Sequence, residues 1–281
     1  MYAKNKNGDY MTYHSDIADE LILNKKHYKK EEKQLKDVKM TTINILKDQN
    51  KFNKEKGKYI SIDFNNMYDD TIKDEISSLL IEALKTLYKI KSNDKVLIIG
   101  LGNQKIISDS LGPNVADKIL VTNHLFSLFP EDIEESLKRV CVFTPKVMGQ
   151  TGLESADLVD SVAKLFKPNI IIVIDALASS SIKRINKVIQ LSDTGIAPGS
   201  GVGNYRKQIN EKTLKVKVIA IGVATVVKAY QLINELNIKV PEDELYEMIL
   251  TPKEIDEDIN MLSSIIATSI NKYIHANYKK L

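Results

Sequence analysis

At 281 residues with 43% hydrophobic side chains, the chain can bury a sizeable core, and its 40 basic against 37 acidic residues leave a net charge of only +3, which offers no nucleic-acid footprint. The one cysteine, Cys141, excludes an intrachain disulfide framework and every multi-thiolate metal site, so a reducing, intracellular setting is expected. The polar opening MYAKNKNGDYMTYHSD lacks the apolar stretch of a signal peptide, and runs such as NIIIVIDALA fall short of the ~20 residues of a membrane helix, so no membrane partner is expected.

Residues 1 to 35 are rich in Lys, Asn and Glu without a sustained period, which predicts an appended N-terminal segment, with a turn or two of helix in DIADELIL. KMTTINIL (39 to 46) and KYISIDF (58 to 64) are alternating, β-branched runs and predict a hairpin at the sheet edge. The period then changes. DDTIKDEISSLLIEALKTLYKI places Ile72, Ile76, Leu79, Leu80, Ala83, Leu84 and Leu87 on one helical face, beside aspartates suited to a helix N-terminus. Strands are expected at 95 to 101, 139 to 144, 169 to 177, 187 to 192 and 215 to 223. Helices are expected at 111 to 120, 131 to 138, 154 to 166, 224 to 238 and 252 to 275. Most of these strands are continuous apolar runs, as strands buried on both faces are. The fold class this predicts is α/β: a three-layer α/β/α sandwich with a mostly parallel central sheet, plus the N-terminal hairpin. No repeat or low-complexity linker divides the chain from residue 37 onward, so one domain is expected.

Ligands of open α/β sheets bind outside the carboxyl ends of the strands, so the residues that follow each apolar run are the informative ones. VLIIGLGNQKIISDSLGP leads through Gly100, Gly102 and Asn103 to Asp109, and IIIVIDALASS ends its aliphatic run on Asp175. A carboxylate at such an end is partly desolvated and must find a partner or change protonation state. For each aspartate a helix cap and a catalytic role both remain open. Two in one cleft could divide the work of general base and general acid. Gly100-Leu101-Gly102 lacks the third glycine of a dinucleotide fingerprint and reads as a turn.

A third strand end opens LSDTGIAPGSGVGN. Asp193-Thr194-Gly195 matches the triplet of pepsin-like peptidases, but those are all-β and need two copies, so a loop role is expected. PGSGVGN lacks the ending of a nucleotide P-loop, and Pro198 and Val202 stand where a nucleophile elbow around Ser200 needs glycine; extended peptide backbone is its expected neighbour. Of four histidines only His124 lies in the α/β region, where a packing role is expected. No metal site is readable, and no cofactor is expected.

In GLGNQKIISDSLGP, LVTNHLF, VMGQTGLESADLV, the block from 169 to 206, KVIAIGVATVV and MILTPKEID, the chain resembles the germination protease family of spore-forming bacteria, which start the degradation of small acid-soluble spore proteins. The resemblance implies an atypical aspartic peptidase related in fold to hydrogenase maturation peptidases, with Asp109 and Asp175 as its essential pair. It implies a zymogen that cuts itself after an acidic residue followed by an aliphatic residue and alanine. Asp16, Ile17 and Ala18 supply that order, so cleavage is expected between Asp16 and Ile17, making 1 to 16 a propeptide and 17 to 281 the peptidase domain. It also implies a homotetramer working in the cytoplasm of the forespore or spore core. Asn103, Gly199, Ser200, Gly201 and Asn204 are expected to line the substrate cleft. Departures from the family pattern stand at Asn123 (usually Arg), Lys146 (Gly), Ala224 (Pro) and Lys228 (Asp), and the segment before residue 248 is short. Two alternatives accompany this reading: a metal-dependent peptidase of the hydrogenase-maturation kind, and an inactive sporulation paralogue that acts by binding.

Overall fold

Stiff, β-branched runs form the strands, and residues repeating every three or four positions form the helices that cover them. The structure, a computed structural model, describes residues 15–21, 28–47, 54–134, 136–198, 207–235, 248–275 and 278. Its helices in chain order are α1 (Ala18–Leu21), α2 (Asp70–Leu87), α3 (Leu111–Ala116), α4 (Leu125–Leu128), α5 (Met148–Thr151), α6 (Ser155–Phe166), α7 (Glu211–Leu214), α8 (Ala229–Glu235) and α9 (Ile255–Ile274). Its strands are β1 (Tyr28–Leu35), β2 (Val38–Ile45), β3 (Gly57–Asp63), β4 (Lys95–Gly100), β5 (Arg139–Phe143), β6 (Ile170–Ser179), β7 (Val188–Ser192), β8 (Lys217–Lys228) and β9 (Ile249–Leu250).

Among the described residues these strands make one sheet in the order β1-β2-β3-β7-β8-β6-β4-β5, with β9 against β8. β5, β4, β6 and β8 are parallel. The strands beyond β8, from β7 out to β1, pair antiparallel, as does β9. The α/β class expected from the sequence is what forms, with the parallel strands at its centre. Alternation along β6 separates the two cores. Ile170, Ile172 and Ile174 face α2, α3 and α9, meeting Leu80, Leu111 and Ile266, while Ile171 and Val173 face Ala156 and Val159 of α6. The first face is closed by two long amphipathic helices. α2 starts under Asp69, whose Oδ1 accepts the N–H groups of Thr71 and Ile72 at 2.8 and 3.2 Å.

Five expectations need correction. The hairpin at 39 to 46 and 58 to 64 forms as β2 and β3, but it is not the edge: β1 pairs with β2 along its whole length. Its sequence YKKEEKQL hides a strand because six of its eight positions face solvent and carry no apolar alternation; charge on an edge strand also discourages pairing with another chain. Residues 15–21 and 28–35 are thus built into the fold rather than appended to it. The helix expected at 131 to 138 does not form among the described residues, which hold there only the end of a 3₁₀ turn at Pro130–Asp132, since so short a segment without an apolar face to bury cannot sustain a helix. The helix expected from 111 to 120 stops at Ala116. The helix expected from 224 begins only at Ala229, because β8 continues through the β-branched run Thr225-Val226-Val227.

Candidate active site

From β4 the chain crosses to β5 on one side, then returns through α6 to β6 on the other side of β4. The crevice outside the carboxyl ends of β4 and β6 is therefore the topological switch point of the parallel set, where such sheets bind ligands. Asp109 follows β4, and Asp175 lies on β6 one residue past the rung that joins Gly100 to Ile174.

Asp175 continues the row of Ile171 and Val173 and is only 6% exposed. Its Oδ1 accepts the Ala176 N–H at 2.9 Å. Burial pushes its carboxyl well above the ordinary value of 3.8, and the charge of Asp109 pushes the same way. The Ala176 N–H opposes the shift, and the charge of Asp16 adds to it.

Asp109 ends a 3₁₀ turn and is half-buried. The Asn103 N–H donates to its Oδ2 at 2.9 Å and to its carbonyl oxygen at 3.0 Å, closing the loop on itself. That closure needs glycine at 102, where φ is +114° and a Cβ would stand 2.0 Å from the Asp109 carbonyl oxygen. A second brace comes from β8. Its register against β6 slips by one residue, Leu177 facing Ala224 but Ala178 facing Val226, so Thr225 is bulged. The Thr225 hydroxyl donates to the Ser108 carbonyl at 2.7 Å, one residue from Asp109, and the Thr225 carbonyl accepts from the Thr251 hydroxyl at 2.9 Å.

Asp109 and Asp175 line one cavity of about 440 Å³, walled by Leu101, Gly102, Val147, Ile196, Pro198 and Thr225 among others. Asp16 lines it too, together with a neighbouring cavity of about 450 Å³ that holds Lys54, Tyr59 and Gln190. The segment around Asp16 is gripped along its length. The Asp16 N–H donates to the Ala178 carbonyl, and the Ala178 N–H donates to Asp16 Oδ2, both at 2.9 Å. Gln190 brackets Ile17: its Nε2 donates to the Asp16 carbonyl oxygen at 2.9 Å and its Oε1 accepts the Ala18 N–H at 2.6 Å. Lys54 Nζ also donates to the Asp16 carbonyl oxygen, at 2.9 Å. Ile17 is fully buried among Leu177, Val188 and Ala224, and Ala18 among Ile43, Ile45 and Tyr59. Glu20 accepts from Ser179, Ser180 and Arg184, and the Arg184 guanidinium also binds Asp19 and Asp63.

The structure thus brings Asp109, Asp175 and Asp16 to one cavity, while Ile17 is buried next to Asp16 and does not line it. Asn103 joins them through its backbone, while its side chain accepts from Gln150 Nε2 and the Lys105 N–H. Gly199, Ser200, Gly201 and Asn204 lie outside the described residues; Ala197 and Pro198, just before them, line the cavity. Asp193 takes a loop position, its Oδ1 accepting the Lys58 N–H at 2.8 Å. His124 is exposed at the start of α4 rather than packed in the interior. Among the described residues no group of three or more His, Cys, Asp or Glu side chains is arranged to hold a metal ion, and no helix is long and apolar enough to cross a membrane.

Three residues of this site carried weak signals in the sequence. Gln190 was the visible one, a polar side chain inside the apolar run VIQLS that has to find hydrogen bonds when buried. Lys54 sits in a charged run that reads as solvated, and Thr225 in a stretch whose period does not separate helix from strand.

Two carboxyl groups on one cavity, one of them held toward its protonated form, are suited to acid and base work on water, the chemistry of a hydrolase. A family model described as germination protease matches residues 8–240. The germination protease of Clostridium tetani is 39% identical over 271 residues, covering 83% of this chain and 84% of its own. That of Oceanobacillus iheyensis is 41% identical over 210 residues, 73% of this chain and 57% of its own. The chain belongs to the germination protease family, a family of peptidases. A solved [NiFe] hydrogenase maturation protease, HycI from Thermococcus kodakarensis KOD1, aligns with 68% of this chain and 99% of its own at a TM-score of 0.37 and 17% identity, a likeness too slight to build on.

Proposed function

We propose that the chain is an endopeptidase of spore germination that cuts small acid-soluble spore proteins, is made as a zymogen, and removes its own first sixteen residues at the Asp16–Ile17 bond. The observation that carries this reading is the single cavity shared by Asp109, Asp175 and Asp16. Asp109, half-exposed and accepting a backbone N–H, acts as the base that takes a proton from water. Asp175, whose burial favours the protonated carboxyl, acts as the acid that gives its proton to the leaving nitrogen. The reading includes a homotetramer and places the work in the forespore and spore core.

The test is incubation of the full chain with a purified small acid-soluble spore protein, with products and the chain's own N-terminus identified by mass spectrometry. Discrete fragments and a new terminus at Ile17 are expected from the wild type, and neither from Asp109→Asn or Asp175→Asn, both folded. A fully active Asp175→Asn protein would sink the mechanism.

A further inference from the structure

The carbonyl oxygen of Asp16 receives two side-chain donors from different parts of the chain. Lys54 Nζ, from the segment before β3, and Gln190 Nε2, from the middle of β7, each approach it at 2.9 Å. The other end of the Gln190 amide holds the Ala18 N–H, so one side chain spans Ile17, taking the carbonyl oxygen of the Asp16–Ile17 bond and the N–H of the bond after it. Gln190 is 8% exposed, and the residue it spans, Ile17, is fully buried. Neither donor is needed to anchor the segment as such: Ala178 holds Asp16 by backbone and carboxylate, and Ser179, Ser180 and Arg184 hold Glu20.

We infer that Lys54 and Gln190 are catalytic residues of the self-processing step, forming the site that receives negative charge on the Asp16 carbonyl oxygen. The inference rests on the reading of Asp16–Ile17 as the bond cut by Asp109 and Asp175. As Asp109 takes a proton from water, the water oxygen bonds to the Asp16 carbonyl carbon, and the carbon–oxygen π electrons move onto the oxygen that Lys54 and Gln190 face. When the carbon–nitrogen bond breaks, those electrons return to re-form the carbonyl, and the Ile17 nitrogen takes the proton of Asp175. Donors already aimed where charge develops stabilise this intermediate without having to reorganise, in a site that burial keeps low in dielectric. Assigning the oxygen to Lys54 and Gln190 leaves the Asp175 proton for the nitrogen, so each polar group has one task.

Gln190→Glu is the sharpest probe, because it keeps the shape and the acceptor for Ala18 while removing the donor to Asp16. Lys54→Met removes the other donor, and Lys54→Arg keeps a cation there. The full chain is followed by mass spectrometry for first-order loss of residues 1 to 16, and hydrogen exchange of residues 15–21 reports whether the segment stays docked. Gln190→Glu and Lys54→Met should each slow processing about 100-fold, the scale of removing one such donor, with exchange protection as in the wild type. Lys54→Arg should recover most of the rate. If Lys54→Met does not fold, Gln190→Glu and Lys54→Arg still decide. Processing at the wild-type rate in both donor variants overturns the inference, as does slowing matched by loss of protection, which marks a purely structural grip. A wild type that cuts substrate protein but never Asp16–Ile17 overturns the inference and leaves the peptidase reading standing. A wild type that cuts nothing overturns both.

Discussion

Gly112 lies in the first turn of α3, three residues after Asp109, and the backbone there is packed against two strand ends at once. A Cβ at this position would stand 2.2 Å from the Leu101 carbonyl oxygen, 2.5 Å from the Leu101 nitrogen and 2.6 Å from the Ile174 carbonyl oxygen. All three are backbone atoms of the switch-point crevice and cannot rotate away. Gly112→Ala therefore has to push α3 off β4 and β6 by about 1 Å, which as overpacking costs roughly 1–3 kcal/mol. For a chain of this size that lowers Tm by roughly 2–5 °C. The functional loss should be larger than the loss of stability suggests, because the same shift carries Asp109 away from Asp175. A misplacement near 1 Å is enough for about a 100-fold fall in rate. The assay is thermal unfolding beside cleavage of substrate protein at a temperature where the variant is fully folded. Gly149→Ala is the control, since nothing lies within 4 Å of a Cβ added there. A Gly112→Ala protein with wild-type melting and wild-type activity would refute the close-packing argument, and a Gly149→Ala protein equally impaired would refute its specificity.

Two further outcomes follow from individual residues. The folded state holds the Asp175 proton more tightly than the unfolded chain does. Wild-type stability should therefore fall as pH rises from the ordinary carboxylate value through the raised value of Asp175, at up to about 1.4 kcal/mol per pH unit for one proton. Asp175→Asn removes this slope, so denaturant unfolding of the two proteins should diverge in the variant's favour across that window, and parallel profiles would refute the burial argument. Lys146, a position at which the resemblance implies glycine, has φ +61°, the left-handed region where a side chain costs about 1 kcal/mol. Lys146→Gly should raise the denaturant midpoint by the equivalent of roughly 0.5 kcal/mol after the extra entropy of glycine in the unfolded chain; a lowered midpoint would show that the loop gains more from the lysine than it loses in strain.

How much of this could be read from the residues depended on whether a position's environment leaves a mark in its neighbours. Asp175 was legible because a carboxylate closing an aliphatic run contradicts its surroundings, and Asp109 because the strand-end rule points to the loop that leaves β4. α2 and α9 were legible because each buries a wide stripe of one face. β1 was not, since an edge strand with both faces wet has nothing to alternate. The gripping of Asp16 by Gln190 and Lys54 was not legible either. It joins residues more than 30 and more than 170 positions away, and hydrogen bonds of that range depend on the whole sheet being in register. Lys146 shows the reverse case, a departure noticed in the sequence whose meaning came from a single backbone angle.

The bulge at Thr225 has a mechanical side. Since β6 skips that residue, its buried hydroxyl and carbonyl are free to bond elsewhere, one fastening the loop that carries Asp109 and the other the segment that leads into the last helix. Two segments far apart in the chain are thereby pinned to one hinge pin. A displacement of the segment between β9 and α9 would be felt at the Asp109 loop through a linkage one residue long.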